Sequence, residues 1–286
     1  MTPISNYAKI TTHVLQEMKL KGEKIAMLTA YDYSMARIVD ETGIDVILVG
    51  DSASNVMAGH STTLPITLNE MIYHASSVVR AVNRSLVIVD LPFGTYQGNS
   101  KEALNSAIRI MKESGASAVK LEGGHEILES IERILSAGIP VMGHLGLTPQ
   151  SSNALGGFKA QGLTADTAID VIEDARLVYE AGAFSILIEG VPPEVTRVIR
   201  DEIPVPIYSI GAGAHADGQL MIISDIVGHF QAFTPKFVKR YGDVAGEIRK
   251  SVASYISEVK NSQFPTKEHS YRMKPGEWEK LEKMIK

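Results

Sequence analysis

Four dipeptides limit how this chain can fold. Thr42-Gly43, Ser114-Gly115, Ala137-Gly138 and Ala181-Gly182 each close an amphipathic stretch just before a short apolar run. Glycine tolerates the left-handed backbone that ends a helix, so each dipeptide reads as the turn from a helix into a strand. The runs read as strands are Ile25–Ala30, Asp45–Val49, Leu86–Val89, Ala118–Glu122, Pro140–His144, Ser185–Glu189 and Val205–Ile210, with a thinner eighth around Leu220–Ser224. Between them lie helical patterns, clearest where Thr67-Leu68-Asn69-Glu70 forms a capping box ahead of Leu68, Met71, Ile72, Ala75, Val78 and Val79. Strands that alternate with helices require a parallel sheet. About eight repeats in roughly 250 residues predict an α/β fold of the (β/α)8 TIM-barrel type. The rival, an open doubly wound sheet, lacks support because no G-x-G-x-x-G follows the first strand. We expect one barrel domain over residues 1–286, with a short N-terminal helical segment (about 1–24) and a polar C-terminal tail (about 261–286).

Composition narrows the function. Hydrophobic residues make up 44% of the 286 and charged residues 21%, with a net charge of −5. No basic field points to nucleic acid or to an anionic membrane. No run approaches the ~20 apolar residues that span a bilayer, and the opening residues MTPISNYAKI carry no apolar signal core. The chain has no cysteine, which removes thiolate metal sites and thiol nucleophiles and suits a reducing, cytoplasmic setting.

In barrels of this kind chemistry sits at the C-terminal ends of the strands. Five successive strands after the first end on ionisable groups: Asp51, then Asp90, then Glu122 with Lys120, then His144, then Glu189. Alternation along Ala118-Val119-Lys120-Leu121-Glu122 turns Lys120 and Glu122 to one face. That run alone also reads as an edge strand with one solvated face. Crowded carboxylates raise one another's pKa unless a cation neutralises them, and an all-oxygen set suits Mg²⁺. The blander reading has each acid capping a loop or pairing with arginine. Lys120 is either a salt-bridge partner or a clamp for a substrate carboxylate. Glu189, on a separate strand, is either a base or an acceptor at the start of the helix near Pro192. A lone His144 is more often structural than catalytic, and no other histidine has zinc spacing.

The ordered set Val49-Gly50-Asp51-Ser52, Gly59-His60 through Leu64-Pro65, Asp90-Leu91-Pro92-Phe93, Val119–Gly124, Gly143–Gln150 and Ile210–Gly213 with Asp217-Gly218-Gln219 resembles the ketopantoate hydroxymethyltransferase family from about residue 20 to His269. The resemblance implies a cytoplasmic, Mg²⁺-dependent barrel assembled as a homo-oligomer, in many members a decamer. It implies a one-carbon transfer from 5,10-methylenetetrahydrofolate to 3-methyl-2-oxobutanoate through a metal-stabilised enolate, giving 2-dehydropantoate for pantothenate biosynthesis. Carried over, the metal ligands fall on Asp51, Asp90 and Glu122. Substrate contacts fall on Asp51, Ser52, Asp90 and Lys120, and the catalytic proton acceptor on Glu189. Ala53-Ser54-Asn55 and Ser209 depart from the usual family pattern, as does Gly190-Val191 after Glu189, without removing a chemical group. Two other readings stay open: another Mg²⁺-dependent 2-oxo-acid barrel enzyme, such as a C–C lyase or phosphoenolpyruvate mutase relative, and a non-catalytic relative that binds a small acid.

Overall fold

A computed structural model describes residues 8–286. In it α1 (Thr12–Lys21) leads into β1 (Ile25–Thr29), α2 (Tyr33–Glu41), β2 (Val46–Val49), the short α3 (Ala53–Val56) and α4 (Leu68–Ala81). Then come β3 (Leu86–Asp90), α5 (Ser100–Ser114), β4 (Ala118–Glu122), α6 (Leu128–Leu135), β5 (Val141–Gly146) and α7 (Ala165–Glu180). The rest comprises β6 (Ser185–Glu189), α8 (Pro193–Glu202), β7 (Ile207–Ile210), β8 (Gly218–Met221), α9 (Ile223–Ile226), α10 (Val244–Lys260) and α11 (Glu277–Met284). The eight strands pair in chain order, all parallel, and β8 closes on β1.

The expected turn chemistry is present. Gly43, Gly115, Gly138 and Gly182 all take positive φ where a helix gives way to a strand. At α4 the Thr67 hydroxyl accepts from the Glu70 N–H, and the Glu70 carboxylate accepts from the Thr67 N–H. Such a cap contributes about 1 kcal/mol.

Strand alternation sorts the barrel's side chains into two layers. Ile47, Val49, Val87, Val89, Val119 and Leu121 pack with the helix residues Met71, Ala75, Val78 and Ile110. Their neighbours Met27, Val46, Leu48, Ile88, Ala118, Met142 and Leu187 form a separate cluster inside the barrel. Ile10, Leu15 and Met18 join that inner cluster, so α1 and the residue before its cap plug the N-terminal end. Lys19 fastens the plug: its Nζ donates to the carbonyls of Ile203 and Val205, each at 2.7 Å, and lies 3.0 Å from Asp217 Oδ2.

One expectation needs correction, and one alternative reading falls away. The eighth strand lies at Gly218–Met221, starting two residues and ending three residues earlier than read, and Ser224 belongs to α9. Its register comes from pairing with β1 and β7, which a single thin apolar pattern cannot report. β4 is no edge strand, because barrel closure gives it β3 and β5 as neighbours and all five of its residues are buried. The polar C-terminal tail carries a helix, α11, with no buried residue. Residues 211–217 join β7 to β8 with no helix among them. A groove of about 470 Å³, lined in part by Ala214, Ala216, Gln219, Met221 and Phe237, lies against β8 there.

Candidate active site

The inner layer changes character toward the C-terminal ends of the strands. Above Ile88 comes Asp90, above Ala118 come Lys120 and Glu122, above Met142 comes His144, and above Leu187 comes Glu189. Period-two geometry makes this unavoidable: once the lower residues face the axis, so do these. Register sets the neighbours, with Asp90 beside Lys120 and Glu122 beside His144.

Lys120 stands at the centre and is 2% exposed. Its Nζ lies 3.2 Å from Asp90 Oδ1, 3.5 Å from Glu122 Oε1 and 3.0 Å from His144 Nδ1. Beyond it, His144 Nε2 lies 3.2 Å from Glu189 Oε2. These contacts are those of the salt-bridge reading of Lys120. Glu189 caps no helix: α8 starts after Pro192 without a side-chain cap. On the other flank, Ser52 Oγ lies 2.9 Å from the Tyr31 hydroxyl.

Each of the three candidate ligands has one carboxylate oxygen tied down. Asp51 Oδ2 accepts from Gln150 Nε2 at 2.8 Å. Asp90 Oδ2 accepts from the Asp51 N–H at 3.0 Å. Glu122 Oε2 accepts from the Gln150 N–H at 2.9 Å. The second oxygens differ. Asp90 Oδ1 is buried without a hydrogen bond although Lys120 is near, and Glu122 Oε1 meets Lys120 and His144.

Charge follows geometry. Burial pushes the Asp51 carboxyl well above its ordinary pKa, and the Glu122 and Asp90 charges add to the push. Asp90 is also raised: burial and Glu122 outweigh Lys120 and the Asp51 N–H. Burial works against ionised Glu122 too, but Lys120 and His144 reverse it and bring its pKa down to about 2. Burial opposes the charge on Lys120, yet Asp90, Glu122 and Asp51 raise its pKa above the usual lysine value. Fully ionised, three carboxylates against one ammonium leave two negative charges in a buried space, a deficit that a divalent cation matches.

The oxygens fit a partly hydrated ion better than a closed chelate. The three acids are not mutually within ligand distance: among the described residues, the group whose ligand atoms all lie within 4.8 Å of one another is His125, Glu126 and Asp174. The Lys120 ammonium contacts two of them, Asp90 and Glu122. Mg²⁺ usually keeps several waters and takes only one or two carboxylates directly, so this spacing suits it. The His125 group is exposed and already satisfied, since Asp174 Oδ1 accepts from the His125 N–H at 3.0 Å and lies 2.9 Å from its Nδ1.

Sequence reasoning passed over three contributors. Tyr31 holds Ser52, and Tyr96 with Gln150 braces the acids. Gln150 lay inside a motif of the resemblance, but nothing in its spacing assigned it a role. Tyr96 carried no signal at all.

Comparison with known proteins identifies the family. Residues 9–267 match the family model described as ketopantoate hydroxymethyltransferase. A 3-methyl-2-oxobutanoate hydroxymethyltransferase of Parabacteroides distasonis is 56% identical over 268 residues, covering 94% of this chain and 98% of that protein. One from Flavobacterium johnsoniae is 57% identical over 270 residues, covering 94% and 99%. Among solved structures, a phosphonopyruvate hydrolase complex with oxalate and Mg²⁺ superposes with a TM-score of 0.60 at 14% identity, covering 96% of this chain and 97% of that one. A 2,3-dimethylmalate lyase of the PEP mutase/isocitrate lyase superfamily gives 0.56 at 15%, covering 96% and 97%. These two share the fold. The family match over most of the sequence goes further, and the chain belongs to the ketopantoate hydroxymethyltransferase family.

Proposed function

We propose that this chain transfers a hydroxymethyl group from 5,10-methylenetetrahydrofolate to C3 of 3-methyl-2-oxobutanoate, giving 2-dehydropantoate for pantothenate synthesis. The observation that carries the reading is the polarised site of a family member. A lysine paired with Asp90 and Glu122, with Asp51 hydrogen-bonded to Asp90, lies on one side of His144, and a separate carboxylate, Glu189, lies on the other.

Asp51, Asp90 and Glu122 would hold Mg²⁺, which when bound withdraws charge from a 2-oxo group and so acidifies the neighbouring C–H. Lys120 and Ser52 orient the substrate carboxylate, with Asp51 and Asp90 beside them. Glu189 takes the C3 proton as general base. The electron pair left at C3 forms the new C–C bond to the one-carbon unit, a water supplies the hydroxyl oxygen, and tetrahydrofolate leaves.

Exchange at C3 tests this directly. Substrate deuterated at C3 should lose its label to water when enzyme and Mg²⁺ are present, even without folate, and product should form only when folate is added. Turnover of 2-oxo acids without folate would favour a lyase or mutase. Ligand binding with no exchange would favour a non-catalytic relative.

The same reading makes the protein a cytoplasmic homo-oligomer, a decamer by family resemblance. In support, α10 exposes Ile248, Val252, Tyr255, Ile256 and Val259, an apolar row that a second copy would cover. Among the described residues no helix is long and apolar enough to cross a membrane. Sedimentation of the purified chain tests the assembly.

A further inference from the structure

Gln150 sits in the loop after β5 and is buried, yet it contacts the ends of three earlier strands. Its Nε2 donates to Asp51 Oδ2 at 2.8 Å and to the Leu91 carbonyl at 3.0 Å. Its Oε1 accepts from the Tyr96 hydroxyl at 2.7 Å and from Gln97 Nε2 at 2.9 Å. Both donors and both acceptor positions of the carboxamide are used. The flipped amide would set Oε1 against a carboxylate and a carbonyl, so these partners permit one orientation. The Gln150 backbone N–H meanwhile holds Glu122 Oε2. Tyr96 locks the arrangement from behind: its hydroxyl accepts from the Glu122 N–H at 3.0 Å and also reaches the Glu122 carbonyl at 2.9 Å.

We infer that Gln150 is a positioning residue for cation binding. It would decide which oxygens of Asp51 and Glu122 are left for the ion, and Tyr96 would hold its amide in the required orientation. The inference rests on the proposed Mg²⁺ site and deepens it. Two oxygens, one in the turn after β2 and one at the end of β4, are tied by one residue, so their spacing is set by that residue's side chain and backbone together. Partners of this kind typically change metal affinity 10- to 100-fold when removed.

Gln150→Met keeps the length and the backbone N–H but removes the amide. Titration calorimetry with Mg²⁺ alone, on metal-stripped protein without substrate, should show Kd rising about 10- to 100-fold, with the thermal midpoint of the metal-free chain measured alongside. Tyr96→Phe, which leaves Gln150 in place, should raise Kd in the same direction by less, and it carries the test if Gln150→Met does not fold. Kd within about two-fold of the parental value in the folded variants would overturn the assignment while leaving the metal site standing. A parental chain that binds no Mg²⁺ would overturn both.

Discussion

Lys120 Nζ lies 3.0 Å from His144 Nδ1, with both side chains buried. An ammonium only donates, so in the neutral ring the nitrogen facing it accepts and the proton is left on Nε2. That nitrogen is the one 3.2 Å from Glu189 Oε2. Lysine thus favours the tautomer whose N–H is turned toward the base, although Nε2 forms no hydrogen bond in this geometry. Burial and Lys120 oppose a second proton on the ring, but Glu122 and Glu189 outweigh them and raise its pKa above the ordinary histidine value.

His144→Leu should therefore slow C3 exchange by about 100-fold, the lower range for a general base that has lost its orientation. The KM for the oxo acid should change little, because Lys120 and Ser52 remain. His144→Gln, whose amide can still donate toward Glu189, should recover part of the rate. Equal loss in both variants would leave His144 with a packing role only.

Asp90→Asn keeps the shape but removes the charge that faces Lys120 at 3.2 Å. Activity and its Mg²⁺ dependence should fall together, by at least about 100-fold at fixed Mg²⁺. A variant that keeps full Mg²⁺-dependent exchange would remove Asp90 from the metal assignment.

Gly146, the last residue of β5, has φ of +88°. A Cβ there would run into the Glu189 carbonyl oxygen and lie 2.7 Å from the Val191 side chain. Gly146→Ala must move the backbone that carries the base. We expect a loss of about 1–3 kcal/mol in stability, read from chemical denaturation, together with slower C3 exchange. Unchanged exchange would show that Glu189 is placed independently of this contact.

Asp40, at the end of α2, is an acid-stability element away from the site. Its Oδ1 accepts from the Ser85 N–H at 2.9 Å and hydroxyl at 2.6 Å, and its Oδ2 accepts from the Asn83 N–H at 2.8 Å. Burial opposes its charge, but these donors and the Arg84 N–H bring its pKa below the usual carboxylate value. Its contribution is therefore complete above an unfolded pKa of about 3.9 and fades as pH falls through the lower native value. Asp40→Asn should lower unfolding stability by roughly 1–3 kcal/mol at pH 7, with the gap to the parental chain narrowing below about pH 4. A gap that stays constant with pH would mean that ionisation of Asp40 does not contribute.

What the chain determined on its own was local. Alternation along β4 put Lys120 and Glu122 on one face, and glycine's freedom at positive φ placed the helix ends at Gly43, Gly115, Gly138 and Gly182. Both follow from the backbone of a few consecutive residues. The strand-end acids were legible for the same reason, since each simply closes an apolar run.

Tertiary structure decided everything that depends on partners distant in sequence. Closure on β1 and β7 set the register of β8, and the barrel's open end gave α1 a place to plug. Lys120 pairs with both Asp90 and Glu122, and Gln150 reaches Asp51 across 99 positions. No periodic pattern encodes such contacts, because they exist only once a closed sheet has brought its strand ends around one axis.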